Sequence, residues 1–119
     1  MQAATKVTQR WTTTVSGSSV AILTFSGDIS SASKDLILGA YHALDGTAAK
    51  VLLDFRGVEY INSSGIAIII QMLLEAGKSG SHAFGIFGLS PHFQKVFTMV
   101  GINKYATLYS DESAAVAAL

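Results

Sequence analysis

The sequence predicts an α/β domain with a mixed, largely parallel sheet of about five strands and four helices, in the order β-β-α-β-α-β-α-β-α. Two kinds of segment alternate along the chain: short apolar runs, and longer stretches whose apolar residues recur at three and four positions. The later runs are almost continuously apolar, as expected of strands that are covered on both faces. Strands that alternate with helices favour parallel pairing through right-handed crossovers.

The first two strands are predicted to form a hairpin. Residues 11–15 and 20–25 are rich in β-branched and apolar side chains, and the serine-rich residues 16–19 supply the turn. Gly27-Asp28 ends the second strand. The first helix stops before Gly46, and its apolar face consists of Leu36, Ile37, Ala40, Tyr41 and Leu44.

The second half of the chain repeats a strand followed by a helix. Strands are predicted at residues 51–55, 83–87 and 106–109. The helices behind them have apolar faces made of Ile66, Ile69, Ile70, Leu73 and Leu74, then Phe93, Val96, Phe97 and Val100, then Ala115, Val116 and Leu119. The second helix runs out at residues 77–80. Ser90 and Pro91 form a strong start for the third helix, Gly101 ends it, and Asp111 caps the fourth.

Length and composition predict one domain over residues 1–119, with a loose tail at residues 1–6. Only 13% of the residues are charged, against about 25% in average proteins. The charges of eight basic and eight acidic residues cancel. The protein therefore has no strong electrostatic field that would favour binding to nucleic acid or to a membrane. The chain has no cysteine, no apolar core of signal-peptide length and no stretch long enough to span a membrane. We therefore expect a cytoplasmic protein that is a monomer or a weak dimer.

The sequence carries few signs of catalysis. His42, His82 and His92 lack a second ligand at metal-binding spacing, and ordinary surface or capping roles are expected for them. Asp54 ends a predicted strand and Glu59 lies in the predicted loop behind it, with nothing to pair them for acid–base work. No nucleophile elbow or phosphate loop is present. We expect no enzymatic activity, no metal and no cofactor.

The stretch Ile-Asn-Ser-Ser-Gly at residues 61–65 stands between a predicted strand and a predicted helix. Structure alone can explain it: Asn62 or Ser63 caps the helix, and Gly65 permits a close approach to neighbouring elements. The same geometry suits a switch. A hydroxyl in the first turn of a helix is exposed and lies at the positive end of the helix dipole, beside free N–H groups. A phosphate there would be stabilised by its own protein and would disturb a partner pressed against that surface.

Residues 51–66 (VLLDFRGVEYINSSGI) resemble the signature of STAS domains, especially the bacterial anti-sigma factor antagonists. In that family an apolar strand ending in Asp is followed by a short loop and by Asp-Ser-Ser-Gly or Asp-Ser-Thr-Gly at the start of a helix. The resemblance continues in residues 25–30 (FSGDIS), where the family commonly has Gly-Glu-Leu-Asp. It also includes residues 89–91 (LSP) and 96–102 (VFTMVGI), and it covers the chain from about residue 7.

The resemblance implies the STAS fold and a regulatory cycle. An anti-sigma factor that is also a serine kinase phosphorylates the second hydroxyl residue of the motif, which is Ser64 here, with Ser63 as the alternative. The unphosphorylated antagonist binds the anti-sigma factor and so frees the sigma factor for transcription. A serine phosphatase resets the modified form. In this cycle the antagonist is a substrate and a ligand and not a catalyst.

Two positions depart from the family pattern. Asn62 replaces the acid before the two serines, and Ser30 replaces the acid that closes the Gly-Glu-Leu-Asp segment. Asparagine still caps a helix well, so the fold is unaffected. The loss of two negative charges would alter recognition by the kinase, although Asp28 and Glu59 keep acids nearby.

The partner surface is expected where parallel strands end, because loops at the carboxyl ends of strands build the binding edge of such sheets. The predicted partner-binding residues are Gly27, Asp28, Ile29, Ser30, Asn62, Ser63, Gly65, Gly88 and Leu89. Ile29, Ile66 and Leu89 are either apolar anchors for the partner or part of the core. For Ile66 and Phe93 the core is favoured by their helical spacing.

Three other functions remain open from the sequence. The first keeps the fold without phosphorylation, as a constitutive STAS scaffold or subunit of a signalling or transport complex. The second is a small-molecule sensor, for which no nucleotide motif is present. The third is a hydrolase that uses Ser64, which lacks a visible base nearby.

Overall fold

Five strands form one sheet in the order β1-β2-β3-β4-β5 in the computed structural model, which describes residues 4–44, 50–79 and 83–118. The strands are β1 Lys6–Thr13, β2 Ser19–Ile29, β3 Lys50–Ile61, β4 Ala83–Phe87 and β5 Ala106–Tyr109. The helices are α1 Lys34–His42, α2 Ser63–Ser79, α3 Pro91–Met99 and α4 Glu112–Ala118. β1 is antiparallel to β2, and the other neighbours are parallel. The predicted α/β class and element order are confirmed.

The two faces of the sheet are covered unequally. Right-handed crossovers between strands that follow one another in space place α1, α2 and α3 on one face. The large core lies there, with Phe25, Phe55, Ile69, Met72 and Phe97 among its fully buried side chains. The other face is covered by α4 over a smaller cluster of Val20, Ile22, Leu52, Phe87 and Ala115.

β2 and β3 are longer than predicted, and the predicted ends at residues 25 and 55 are wrong. Ser26 to Ile29 pairs with Gly57 to Ile61 after register shifts on either side of Ser26-Gly27. The exposed Arg56, Gly57 and Glu59 resemble a loop in sequence, but pairing with β2 keeps them in a strand. β4 pairs with β3 only as far as Phe87 opposite Asp54. The ends of β2 and β3 therefore project as a two-stranded extension towards the start of α2.

β1 also differs from the prediction, which placed this strand at residues 11–15. It begins at Lys6, which pairs with Ser26, and it ends at Thr13, opposite Ser19. The Thr5 hydroxyl donates a hydrogen bond to the Asp28 carbonyl. The loose tail predicted for residues 1–6 therefore does not extend to these two residues.

The predicted helix signals are confirmed at both ends of α3 and at the start of α4. The Ser90 hydroxyl accepts a hydrogen bond from the Phe93 N–H at 3.2 Å, and Asp111 Oδ1 accepts one from the Ala114 N–H at 2.8 Å. Gly101 has the positive φ of 85° that ends a helix. The prediction for α2 is partly wrong. Its buried face contains Gly65, Ile68, Ile69, Met72, Leu73 and Ala76, while Leu74 is 42% exposed.

A cluster of four charged side chains connects α4 to the sheet. Asp54 is 2% exposed and accepts hydrogen bonds from Arg56, including one of 2.8 Å from Nη2 to Oδ2. Arg10 donates two hydrogen bonds to Glu112, and its Nη2 lies 4.0 Å from Asp54 Oδ2. We call these four residues the α4 clasp. The sequence did not reveal the clasp, because its members come from three separate elements.

The clasp lowers the pKa of both of its carboxyl groups. Burial raises the pKa of Asp54, but the hydrogen bonds from the Arg56 side chain and backbone outweigh burial, so the pKa lies below its usual value. The hydrogen bond from Arg10 lowers the pKa of Glu112. Two carboxylates that are more acidic in the folded state than in the unfolded chain stabilise the fold above their unfolded pKa values.

This stabilisation is expected to be lost in acid. Carboxyl groups in unfolded chains titrate near pH 4, so the contribution is present above about pH 4 to 5 and disappears as pH falls through the folded-state values. Urea unfolding between pH 7 and pH 3 measures how steeply the free energy of unfolding declines with falling pH. This decline should be shallower in an Asp54→Asn, Glu112→Gln double variant than in the wild type. Thr107→Val, an uncharged and exposed position outside the clasp, should leave the slope unchanged. An equal decline in the double variant and the wild type would contradict this assignment.

Candidate functional site

The start of α2 is capped by Asn62. Its side-chain Oδ1 accepts a hydrogen bond from the Gly65 N–H at 2.8 Å, and its carbonyl accepts the first helical bond, from the Ile66 N–H at 3.0 Å. Asparagine is a preferred N-cap residue because its short side chain satisfies an N–H that the helix leaves free. Of the two predicted candidates for the cap, the structure selects Asn62 and leaves the Ser63 hydroxyl for another role.

The capped end of α2 is held tightly against the end of β2. The Asn62 N–H donates a hydrogen bond of 3.1 Å to the Ile29 carbonyl. A Cβ atom added at Gly65 would lie 2.4 Å from the same Ile29 carbonyl oxygen. Gly65 is therefore required for the close approach that the sequence predicted. The Ile29 carbonyl thus accepts a hydrogen bond from the cap residue of α2 and lies against the first turn of the helix at Gly65.

Ser63 and Ser64 lie on this fixed support and are both exposed. They occupy the first two positions after the cap, where the helix itself supplies no acceptor for their N–H groups. The helix dipole adds partial positive charge at the same place. The two serines thus combine accessible hydroxyls with an environment that favours an anion.

The other predicted partner-binding residues divide by exposure. Asp28, Ser30, Asn62, Gly88 and Leu89 are partly exposed, whereas Gly27, Ile29 and Gly65 are buried. Ile29 has no exposed surface, so of its two predicted roles the structure selects the core. Leu89 and Ile66 are partly buried and pack against the main core, and Phe93 is buried, as expected from its spacing.

Two of the three predicted loop segments come together, and the third is set back. Ile29 pairs with Ile61, which brings residues 27–30 beside residues 61–65. Gly88 instead lies level with Arg56, because a Cβ at Gly88 would be 2.7 Å from the Arg56 backbone nitrogen. Arg56 is five residues before Ile61 along β3, in the part of the strand that carries the register shifts. Residues 27–30 and 61–65 therefore form a compact site at the ends of β2 and β3, and Gly88 lies beside an earlier part of β3.

Tyr60 is a surface residue of this site that was not among the residues predicted from the sequence. It pairs with Asp28, is 55% exposed, and its ring lies 6.2 Å from the Phe93 ring. The prediction of a loop at residues 56–60 concealed it. An exposed tyrosine three residues before Ser63 offers a partner an aromatic contact, and such residues are enriched in interfaces.

The histidines take the ordinary roles that were expected of them where the structure describes them. His42 Nε2 lies 2.9 Å from Glu75 Oε1 on the surface between α1 and α2, and the His92 ring contacts the Phe93 ring at 4.9 Å. His82 lies outside the described residues. Within residues 4–44, 50–79 and 83–118, no group of three or more His, Cys, Asp or Glu side chains could hold a metal ion. None of the described helices has the length and apolar character needed to cross a membrane.

Comparison with known proteins identifies one family. The family model described as "Mlab, STAS domain" matches residues 12–110. No curated protein matches the chain.

Several solved structures share the fold over almost the whole chain. A crystal structure described as an anti-sigma factor antagonist from Mycobacterium paratuberculosis is 21% identical with a TM-score of 0.73, covering 95% of this chain and 93% of that one. The phosphorylated form of the Bacillus cell fate determinant SpoIIAA is 15% identical with a TM-score of 0.65, covering 92% and 96%. The murine anion transporter Slc26a9 is 14% identical with a TM-score of 0.71, covering 96% of this chain and 22% of the transporter. At these identities the similarity concerns the fold.

Proposed function

The chain belongs to the STAS domain family, and on that premise we propose that it is an anti-sigma factor antagonist switched by phosphorylation at Ser64. In this proposal the unmodified protein binds an anti-sigma factor that is also a serine kinase, and thereby releases a sigma factor for transcription. Phosphorylation of Ser64 ends the binding, and a serine phosphatase restores it. The protein itself performs no catalysis in this cycle.

The observation that carries the proposal is the exposed Ser64 on the rigid, capped end of α2. The cap belongs to Asn62, so the Ser64 hydroxyl is not needed to hold the helix. The backbone around it is fixed through the Ile29 carbonyl. A phosphate can therefore be added at the surface without refolding of the site. We expect the acceptor to keep the same position before and after modification.

Electrostatics supports a switch that acts on the partner and not on the fold. Phosphoserine carries a charge of about −1.5 to −2 at neutral pH. Within its own protein this charge is stabilised by the first-turn N–H groups and by the helix dipole. A partner surface packed over Ser64 would instead have to bury a hydrated dianion, which is costly unless arginines are supplied. Modification is thus expected to leave the fold intact and to weaken the complex.

The expected partner surface consists of Ser63 and Ser64 together with the partly exposed Asp28, Ser30 and Asn62. Tyr60 joins this set because it pairs with Asp28. Gly27, Ile29 and Gly65 support the surface from beneath. Gly88 and Leu89 would contact the partner only if it extended along β3 towards Arg56.

Phosphosite mapping by mass spectrometry on protein from its native cells tests the proposal. Phosphatases are inhibited during isolation, and several growth conditions are compared. We expect phosphate on Ser64 whose occupancy changes with condition, with Ser63 unmodified. The absence of phosphate from Ser64 under every condition would reject the switch. Phosphate on Ser63 whose occupancy changes with condition would place the switch at Ser63 instead of Ser64.

A constitutive scaffold is the second candidate, because the same fold occurs within the murine anion transporter Slc26a9. Asn62 in place of the family's acid is consistent with a member that has lost its kinase. This candidate predicts stable co-purification with a permease or an ATPase and an association that does not respond to Ser64→Asp.

A further inference from the structure

The outer edge of β1 is an unusually open strand edge. β1 has eight residues and pairs with β2 alone among the described strands. Its eight pairs with β2 run without a register shift, so no bulge turns the edge away. The strand contains no proline. The N–H and C=O groups that point outwards along this edge form a template for another strand.

Edge strands are usually shielded, and the opposite edge of this sheet follows that rule. β5 has only four residues, and short edge strands are one way in which proteins prevent pairing. Charged side chains are another, but the guanidinium of Arg10 is bound to Glu112 in the α4 clasp. Lys6 stands at the end of the strand and not at its centre. The middle of β1 therefore lacks the protection found at β5.

We propose that a second copy of this chain pairs with this edge, β1 against β1 in antiparallel orientation, with Gln9 opposite Gln9 of the second copy. A two-fold axis at Gln9 places Val7 of each copy opposite Trp11 of the other. By the same symmetry Thr8 lies opposite Arg10 and Lys6 lies opposite Thr12, and each of these pairs occurs twice in the dimer. Apolar residues then meet apolar residues, and no two like charges face each other. Such cross-strand pairs are the unit of sheet stabilisation.

The side chains of Val7 and Trp11 lie on the face of the sheet that carries α1 to α3. Trp11 and Val7 pair with Ala21 and Phe25 on β2, whose side chains belong to the core beneath α1 to α3. Trp11 is nevertheless 43% exposed, and no strand other than β2 lies beside β1 in the part of the chain that the structure describes. A second strand in the proposed register would place Val7 of the other copy beside this ring. The exposed part of Trp11 would then be covered.

α1 supplies a second exposed apolar side chain on the same side of the molecule. His42 contacts Glu75 on α2, and Ile37 and Tyr41 face the core. At 100° per residue, Leu36 lies on the flank of α1 opposite His42. α1 contacts both α2 and β1, so this flank faces the β1 edge. Leu36 is 51% exposed, and the proposed pairing would turn the Leu36 flanks of the two copies towards each other.

A single introduced cysteine tests the register. The chain contains no cysteine, so the thiol of Gln9→Cys can form a disulfide only with a second copy. Directly opposite residues in an antiparallel pair have Cβ atoms about 4.5–5.5 Å apart, close to the separation in a disulfide. We expect Gln9→Cys to form a linked dimer rapidly under mild oxidation. Thr107→Cys, at an exposed position on β5, is the matched control and should remain largely unlinked.

Charge substitutions at Thr8 test the same contact without a covalent bond. Thr8→Arg would face Arg10 of the second copy twice in each dimer and should weaken dimerisation by about ten-fold. Thr8→Glu would face the same guanidinium, which Glu112 already binds, and should weaken dimerisation less than Thr8→Arg. Thr107→Arg should change nothing. Sedimentation velocity over a range of concentrations measures each dissociation constant, and circular dichroism checks that each variant is folded.

Each possible result either supports or overturns dimerisation through β1. Rapid linking of Gln9→Cys together with a greater loss of dimer affinity in Thr8→Arg than in Thr8→Glu would support the proposal. A wild-type protein that stays monomeric at all concentrations would overturn it. So would a dimer that is insensitive to both Thr8 substitutions, or a Gln9→Cys variant that links no faster than Thr107→Cys. The result does not depend on phosphorylation, because β1 contains neither Ser63 nor Ser64.

Discussion

Gly65→Ala is expected to lower the free energy of unfolding by about 2–3 kcal/mol, within the range of overpacked sites. The added methyl carbon would lie 2.4 Å from the Ile29 carbonyl oxygen and 2.8 Å from the carbonyl carbon. Both atoms belong to the backbone at the end of β2, so neither can rotate away. The start of α2 would have to move outwards and strain the hydrogen bond from Asn62 to Ile29. Urea denaturation monitored by circular dichroism measures the change.

Gly39→Ala is the matched control for this substitution. Gly39 lies within α1, and a Cβ atom there would meet nothing within 4 Å. The same change of glycine to alanine in a helix should therefore stabilise the protein by about 0.5–1 kcal/mol, the ordinary difference in helix propensity. The change in the free energy of unfolding should therefore be negative for Gly65→Ala and positive for Gly39→Ala. A stable Gly65→Ala variant would show that the junction of α2 and β2 is not tightly packed.

Under the proposed function, Ser64→Asp is expected to weaken binding of the anti-sigma factor by about 100-fold, which corresponds to about 2.7 kcal/mol. The introduced carboxylate would be buried without a partner in the interface, and unpaired charges at interfaces cost about 2–5 kcal/mol. Ser64→Ala should bind as tightly as the wild type and should no longer respond to the kinase. Isothermal titration calorimetry with the purified anti-sigma factor measures all three affinities.

Ser63→Asp is the matched control for the position of the switch. Ser63 is also exposed and also lies in the first turn of α2, so both acidic variants should fold with similar stability. We expect Ser63→Asp to reduce the affinity less than Ser64→Asp. Equal binding by Ser64→Asp and the wild type would contradict the proposed switch. It would favour the constitutive scaffold.

The local features of the chain were predictable because they depend on residues close in sequence. The cap at Ser90, the cap at Asp111 and the end of α3 at Gly101 were all predicted and are confirmed. In each case a side chain or a glycine satisfies backbone groups within four positions of itself. The order of strands and helices follows from the same short-range patterns of apolar residues.

The candidate site was predictable as a motif but not as a geometry. The sequence located Asn62, Ser63, Ser64 and Gly65 at the start of a helix. It could not choose between Asn62 and Ser63 as the cap, since both residue types accept the same hydrogen bond. It also treated residues 56–60 as a loop, because pairing with β2 is not visible in a segment that contains Arg, Gly and Glu. Tyr60 was missed for that reason.

By itself, the sequence determined the α/β class, the order of the elements and the position of the two serines at a helix start. Tertiary structure alone decided which side chains meet across long separations. Arg10 and Glu112 are 102 positions apart, and the Ile29 carbonyl that fixes α2 belongs to a strand that ends more than thirty residues earlier. The first contact arises because α4 packs back over Val20, Ile22, Leu52 and Phe87 on the other face of the sheet. The second arises because the parallel pairing of β2 with β3 brings the end of β2 to the start of α2. No short-range pattern in the chain encodes that proximity.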